Sequence, residues 1–178
     1  MHSLGLDIST SITGICILDE HGQIADQFPV RLEKFDDIHE KSDEIERIFK
    51  DLKKKYQITN IYVEESLLAF QGGASSAGVI STLAKANAIF SYIAYKQFAI
   101  KPIPISSGTA RKTVGIKILK NGIKAKEQAF EWVQNNVPTF RYEMTKQGNP
   151  KPGTKDAADA YIICKAGYLM NLTTQPQQ

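Results

Sequence analysis

Five acidic residues stand where acids are out of place: Asp7, the adjacent pair Glu64 and Glu65, Asp156 and Asp159. Asp7 closes the apolar start Leu4-Gly5-Leu6, and Glu64 and Glu65 close Ile61-Tyr62-Val63. Asp156 and Asp159 interrupt the small, apolar run Lys155-Asp-Ala-Ala-Asp-Ala-Tyr-Ile-Ile. Burying a carboxylate without a partner is costly, so acids in such settings usually answer to a cation. A hard divalent metal is the natural candidate for a cluster of oxygen donors. Two such ions ~3.5–4 Å apart activate water and stabilise the leaving oxygen of a phosphodiester, so the chemistry to expect is metal-dependent phosphoryl transfer. Asp156 and Asp159, spaced i, i+3, share one face of a helix. Glu64 and Glu65 point to opposite sides of a strand, so at most one of them faces the other acids.

The elements that must carry these residues follow from the pattern. Leu4–Ile8 reads as a short buried strand. Ser9-Thr10-Ser11 makes a polar turn into a second strand, Ile12–Leu18. Asp19-Glu20-His21-Gly22 has hairpin turn chemistry leading into a third, about Gln23–Arg31. His39–Tyr56 places Ile45, Ile48, Phe49 and Leu52 at helical spacing. Asn60–Glu65 is β-branched and strand-like, and Val79–Phe98 is a long helix with Ile80, Leu83, Ala84, Asn87, Ala88, Phe90 and Ile93 over a wide arc. Lys101–Ile105 is a short strand whose Pro102 and Pro104 suit a sheet edge. Ser106 or Ser107 caps a short helix through Lys112, and Lys124–Asn135 and Asp156–Asn171 are the last two helices. The order βββ-α-β-α-β-α-α-α predicts one α/β domain over residues 1–171: a mixed five-stranded sheet, its first three strands antiparallel, with helices on both faces. Residues 172–178 are expected to be a disordered tail.

Charge is unevenly spread. Glu33–Glu65 holds ten acids against seven lysines and arginines, whereas Ser66–Lys126 has no acid and nine lysines and arginines. Arg111, Lys112, Lys117, Lys120 and Lys124 lie there, a basic region suited to a polyanion. The chain has 178 residues, 42% of them hydrophobic, with no apolar run near the ~20 residues of a membrane span. Cys16 and Cys164 lack metal or disulfide spacing, and Met1-His2-Ser3 runs straight into a strand-like segment, so no secretory signal is expected. An intracellular setting is expected, with the nucleoid, or the host cytoplasm for a viral chain, as its place. There is no phosphate-loop motif, and His2, His21 and His39 fit no nucleophile–histidine–acid triad.

Three segments in order resemble the acidic motifs of RuvC-type Holliday junction resolvases. They are Gly5-Leu-Asp-Ile-Ser-Thr-Ser-Ile-Thr-Gly14, Val63-Glu-Glu65 and Lys155-Asp-Ala-Ala-Asp-Ala160. The resemblance spans Leu4 to about Tyr168. It implies an RNase H-like fold and a homodimer joined partly through the 79–98 helix. It also implies cutting of four-way DNA junctions by symmetric paired nicks during recombination, repair or resolution of branched replicating DNA. A symmetric dimer presents two equivalent sites to two equivalent strands. Carried onto this chain, the resemblance makes Asp7, Glu64, Asp156 and Asp159 ligands for Mg²⁺, with Mn²⁺ as a substitute. It places Lys126 near the scissile phosphate, points to Lys112 in the basic segment Arg111–Gly115, and makes Phe70 the aromatic that meets junction bases. No residue pattern specifies a branch-migration motor as a further partner.

Three other readings compete, and the intact set of four acids argues against one of them, a non-catalytic, basic nucleic-acid-binding module with degenerate acids. Another RNase H-like nuclease would cut RNA in an RNA/DNA hybrid. A sugar-kinase or actin-type nucleotide-binding domain also begins Gly-x-Asp-x-x-Thr-Ser before a hairpin, but needs a second domain for which this length leaves no room.

Overall fold

A computed structural model describes residues 1–65, 77–120 and 122–174 of the chain. Its strands are β1 (His2–Asp7), β2 (Ile12–Leu18), β3 (Ile24–Arg31), β4 (Ile58–Glu64) and β5 (Ile103–Ile105). Its helices are α1 (Ile38–Lys55), α2 (Ala77–Phe98), α3 (Ser107–Val114), α4 (Ala125–Asn136) and α5 (Thr154–Thr174). The strands form one sheet in the order β3-β2-β1-β4-β5, antiparallel across the first three and parallel from β1 to β4 to β5. The expected α/β architecture is therefore present. Both edge strands carry proline, Pro29 in β3 and Pro104 in β5, where a missing backbone N–H does not interrupt the sheet interior.

Local chemistry explains the boundaries. The Asp37 carboxylate accepts from the backbone N–H groups of His39 and Glu40 and starts α1, while Lys53, Lys54 and Lys55 complement its C-terminal dipole. Ser106 caps α3 by accepting from the Thr109 N–H, and Gly115 closes that helix in the left-handed region at φ 93°. Most boundaries fall within two residues of expectation, and the C-terminal one differs by three. α5 begins at Thr154 and runs to Thr174, so Leu172–Thr174 are helical, and only residues 175–178 of the expected tail lie outside the described residues. The apolar pattern continues through Met170 and Leu172 with no glycine or proline to stop the helix.

Each strand sends alternate residues to opposite faces. Leu4, Leu6, Ile15, Ile17, Ile61 and Val63 face α1 and α2, packing against Ile45, Phe49 and Phe90. The other face carries Cys16, Leu18 and Tyr62 against α5, with α3 and α4 completing that layer through Ala110, Ala129, Phe130 and Val133. Asp7 and Glu64 belong to this second face.

α5 crosses the sheet unusually close, and glycine makes the approach possible. A Cβ on Gly5 would come within 2.4 Å of the Ala160 carbonyl oxygen, and one on Gly14 within 2.0 Å of the Asp156 carbonyl oxygen. Both obstacles are main-chain atoms of α5, which cannot rotate away. Gly14→Ala should therefore push the first turn of α5 off the sheet. Overpacking of this kind usually costs ~1–3 kcal/mol, and backbone contact puts Gly14 at the upper end of that range. Chemical denaturation should show the loss, while Lys112→Ala, a change at an exposed position of α3, should leave the unfolding midpoint nearly unmoved.

Candidate active site

Asp7 is the last residue of central strand β1, and Glu64 is the last of its parallel neighbour β4. The register pairs Leu6 with Val63, which sets Asp7 and Glu64 side by side at the carboxyl ends of the two strands. Alternation decides between the two glutamates. Glu64 shares a face with Asp7, whereas Glu65 lies past the strand, exposed, its backbone N–H donating to Ile105 O at 3.0 Å. The Ser9 hydroxyl ties down the turn after Asp7. It donates to Ile12 O at 2.8 Å and accepts from the Ile12 N–H at 3.0 Å. The end of β4 is held from the other face, where Asn87 Nδ2 of α2 donates to Glu64 O at 2.9 Å.

The second pair of acids descends from α5. Asp7 pairs with Gly14 across β1 and β2, and Gly14 is the residue on which the Asp156 backbone rests. Asp156 is thereby set over the end of β1, and Asp159, one turn on, points toward the same place. α4 delivers the cation. Lys126 Nζ lies 2.8 Å from Asp156 Oδ1, 3.0 Å from Asp159 Oδ2 and 3.7 Å from Asp7 Oδ2. The neighbouring Glu127 clamps α4 to α5 through Lys155 Nζ at 2.6 Å and 2.7 Å. On the far side, Arg111 of α3 reaches Asp159, NH2 to Oδ1 at 3.9 Å, and its buried Nε has no hydrogen-bond partner among the described residues.

Electrostatics set this cluster apart from ordinary surface acids. Burial, reinforced by the negative charge of Glu64, raises the Asp7 pKa well above the usual carboxylate range despite the opposing pull of Lys126. Burial likewise raises that of Asp159, with Lys126 countering it and Glu64 adding to it. Burial alone would lower the Lys126 pKa. The charges of Asp159 and Asp7, with the Asp156 hydrogen bond, outweigh burial and raise it above the ordinary lysine range. Four carboxylates against one lysine and one arginine leave a formal excess of two negative charges in a partly dry pocket.

That imbalance, and the purely oxygen donor set of Asp7, Glu64, Asp156 and Asp159, fit a hard divalent cation such as Mg²⁺. Among the described residues no three acidic side chains stand in ready-made ligand geometry. Instead the Lys126 ammonium stands between three of the four acids, and an ion held there would require it to turn aside. Lys126 has the means, since its side chain is 41% exposed on a flexible stem.

The remaining expected residues fall in three groups. Lys112, Lys117, Lys120 and Lys124 are exposed around α3 and the start of α4, facing solvent. Arg111, expected beside them as a DNA contact, is turned inward to Asp159, because α3 packs that face on α5. Phe70 lies outside the described residues. Sequence reasoning assigned no role to Gly14, Asn87 or the Glu127–Lys155 pair. For Gly14 a signal existed, since glycine inside an apolar strand often marks close backbone approach; the other two depend on contacts between distant segments.

No protein-family model matches the sequence, and no curated protein matches it. Solved structures do match its fold. Thermus thermophilus RuvC in complex with Holliday junction substrate aligns with 98% of this chain and 96% of its own, at a TM-score of 0.70 and 11% identity. The yeast mitochondrial Holliday junction resolvase aligns with 96% of this chain and 78% of its own, at a TM-score of 0.59 and 14% identity. Fowlpox virus resolvase, solved with substrate Holliday junction DNA, aligns with 97% of this chain and 99% of its own, at a TM-score of 0.51 and 14% identity. These likenesses show the fold, an RNase H-like α/β domain. More narrowly, the arrangement is the RuvC-type resolvase fold over nearly its whole length.

A strained cluster has a measurable signature. An acid whose folded pKa is raised binds its proton more tightly in the folded chain. Stability therefore falls as pH rises from about 4, the unfolded carboxylate value, toward the raised folded one. Asp7→Asn removes that penalty. In chelator at neutral pH it should stabilise the fold by about 0.5–2 kcal/mol, at roughly 2–4 °C in Tm per kcal/mol. The gain should vanish below about pH 4. Thermal melts across pH would measure it, and a destabilised Asp7→Asn at neutral pH would contradict the charge repulsion described here.

Proposed function

We propose that this chain is a metal-dependent endonuclease that cuts four-way DNA junctions. The observation that carries the reading is the convergence of Asp7, Glu64, Asp156 and Asp159 from three separate elements onto one point, inside a fold matched by two resolvase structures that contain junction DNA. Bound Mg²⁺ would activate water and stabilise the leaving oxygen of the phosphodiester. Asp7 and Glu64, rigid at the strand ends, and Asp156 and Asp159, set by the first turns of α5, are the residues to hold it. Lys126 then leaves its carboxylate partners and turns toward the scissile phosphate, where its charge stabilises the negative charge that builds as the bond breaks. Arg111 keeps Asp159 oriented and offsets part of the cluster's charge. Lys112, Lys117, Lys120 and Lys124 form the outer track for the DNA backbone.

Paired nicks on a symmetric junction call for two sites related by a twofold axis. α2 supplies a candidate seam, since Tyr92 and Tyr95 are exposed large aromatic residues on the side away from its buried Ala86, Phe90 and Ala94. The buried side of α2 is narrower than the sequence arc implied: Ala86, Phe90 and Ala94 are buried, while Ala88 is exposed. Among the described residues no helix is long and apolar enough to cross a membrane. Cutting of RNA in hybrids is the competing reading for the same acids.

The deciding experiment is cleavage of four-way junctions, linear duplex and RNA/DNA hybrids, each with and without magnesium. Junction-selective, magnesium-dependent nicking is the expected result; preferential cutting of hybrids would sink the proposal. Glu64→Gln should abolish nicking and keep junction binding, whereas Glu65→Gln should cut nearly normally. Lys126→Ala should lose ~10²–10³-fold in single-turnover rate with junction affinity in calcium little changed, because its interaction grows only as charge develops. Junction affinity should fall steeply with salt, and Lys112→Ala should reduce the slope of log K against log salt by about one for each phosphate left without its lysine.

A further inference from the structure

A groove of about 590 Å³ opens on the other side of the helical turn that carries Asp156. Its floor includes Thr154 and Ala157, which flank Asp156 on α5, and one wall is the free edge strand β3 with Phe28 and Arg31. The opposite wall is a short hairpin. Met144 and Pro150 bridge its two sides, Lys151 N–H donates to Glu143 O at 2.9 Å, and the Lys151 and Glu143 side chains form an ion pair. Arg31 NH2 ties the two walls together by donating to Pro152 O at 3.2 Å.

Tyr142 stands at this groove, 37% exposed, yet held firmly. Phe130 meets it edge-on, with ring centroids 5.7 Å apart at 78°, and Phe140 lies at 6.2 Å. Gln134 Nε2 donates to its hydroxyl at 2.7 Å. A buttressed aromatic ring left open to solvent is a stacking platform, since little entropy remains to be lost when a flat ligand lands on it. Around it the groove presents Arg31, Arg141 and Lys151 against the single acid Glu143. A flat π-surface beside an excess of positive charge suits a nucleotide: the base stacks and the phosphate meets the cations. The groove's volume falls within the ~300–1,000 Å³ of small-ligand sites.

We infer that this groove takes an unpaired nucleotide of branched DNA, its base stacked on Tyr142 and its phosphate on Arg31 and Arg141, while the adjoining strand lies at the acid cluster. The inference rests on the proposed junction nuclease reading and adds to it a second contact that senses unpaired bases. A duplex keeps its bases stacked and has nothing to offer the platform, so the groove favours branched over linear DNA.

The test measures binding of the full chain, in calcium, to a four-way junction, to linear duplex and to a single-stranded oligonucleotide, each carrying 2-aminopurine. Tyr142→Ala should weaken junction and single-strand binding by between about fivefold and 100-fold, the equivalent of losing one base stack, and leave duplex affinity within twofold. The 2-aminopurine signal, quenched by stacking in the wild type, should brighten. Tyr142→Phe keeps the ring and should bind like wild type. Arg141→Gln changes an exposed side chain and guards against a misfolded Tyr142→Ala; it should lower the salt slope for the single strand by about one. Unchanged single-strand affinity and 2-aminopurine signal in Tyr142→Ala would overturn the inference. So would an equal loss on all three DNAs, or a changed oligomeric state without DNA. A wild type that binds the single strand through Tyr142 but neither prefers nor cuts junctions would instead overturn the proposed function and leave the groove standing.

Discussion

Everything at the acidic cluster depends on how near α5 can lie to the sheet. Helices ordinarily rest on a sheet through side chains, but here main chain meets main chain, because Gly5 and Gly14 present no Cβ to the carbonyls of Ala160 and Asp156. The closeness lets short aspartate side chains on a helix reach carboxylates at the ends of strands. With a conventional spacing, Asp156 and Asp159 would stand too far from Asp7 to share one lysine. Gly167, whose missing Cβ makes room for the Tyr62 ring, continues the same close packing toward the C-terminal end of α5.

The second constraint is electrostatic. Burial, with the charge of Glu64 adding to it, raises the pKa of Asp7 and Asp159, and Lys126 offsets only part of that cost. Stability alone would not favour such an arrangement, which is the reason to propose that the site holds further positive charge. Lys126 fits both states. Here it pairs with the acids, and its long, half-exposed stem would let it turn to a phosphate in the proposed reaction. Arg111 occupies the opposite flank with a more rigid fork, which suits orienting one carboxylate rather than exchanging partners.

The two ends of the site have different characters. Toward α3 and the start of α4, exposed lysines offer charge without shape, which would suit the proposed contact with a phosphate backbone of any sequence. Toward β3 and the 143–151 hairpin, a rigid tyrosine in a walled groove offers shape as well as charge. Asp156 lies between them, so one helical turn links a contact suited to unpaired bases with the acids proposed to cut.

Local pattern alone was enough for the element types, the single mixed sheet and a short list of candidate acids. Alternation puts Glu64 and Glu65 on opposite faces without choosing between them, a choice that came from the family resemblance; helical spacing puts Asp156 and Asp159 on one face, and prolines mark Lys101–Ile105 as an edge strand. The acid-free stretch was legible too, as a property of composition. What tertiary structure decided are matters of contact between segments far apart in the chain. Neighbouring Arg111 and Lys112 look equivalent in sequence, but packing of α3 on α5 turns one inward and leaves the other in solvent. Lys126 stands out in composition no more than the eight other basic residues of its stretch, and only the resemblance singled it out; its place between three acids is set by α4, clamped by Glu127 to Lys155. Tyr142, in a loop with no periodicity to read, becomes a platform only where Phe130, Gln134 and Phe140 close around it. Periodicity reports which face of an element is buried, and only the folded packing determines what that face meets.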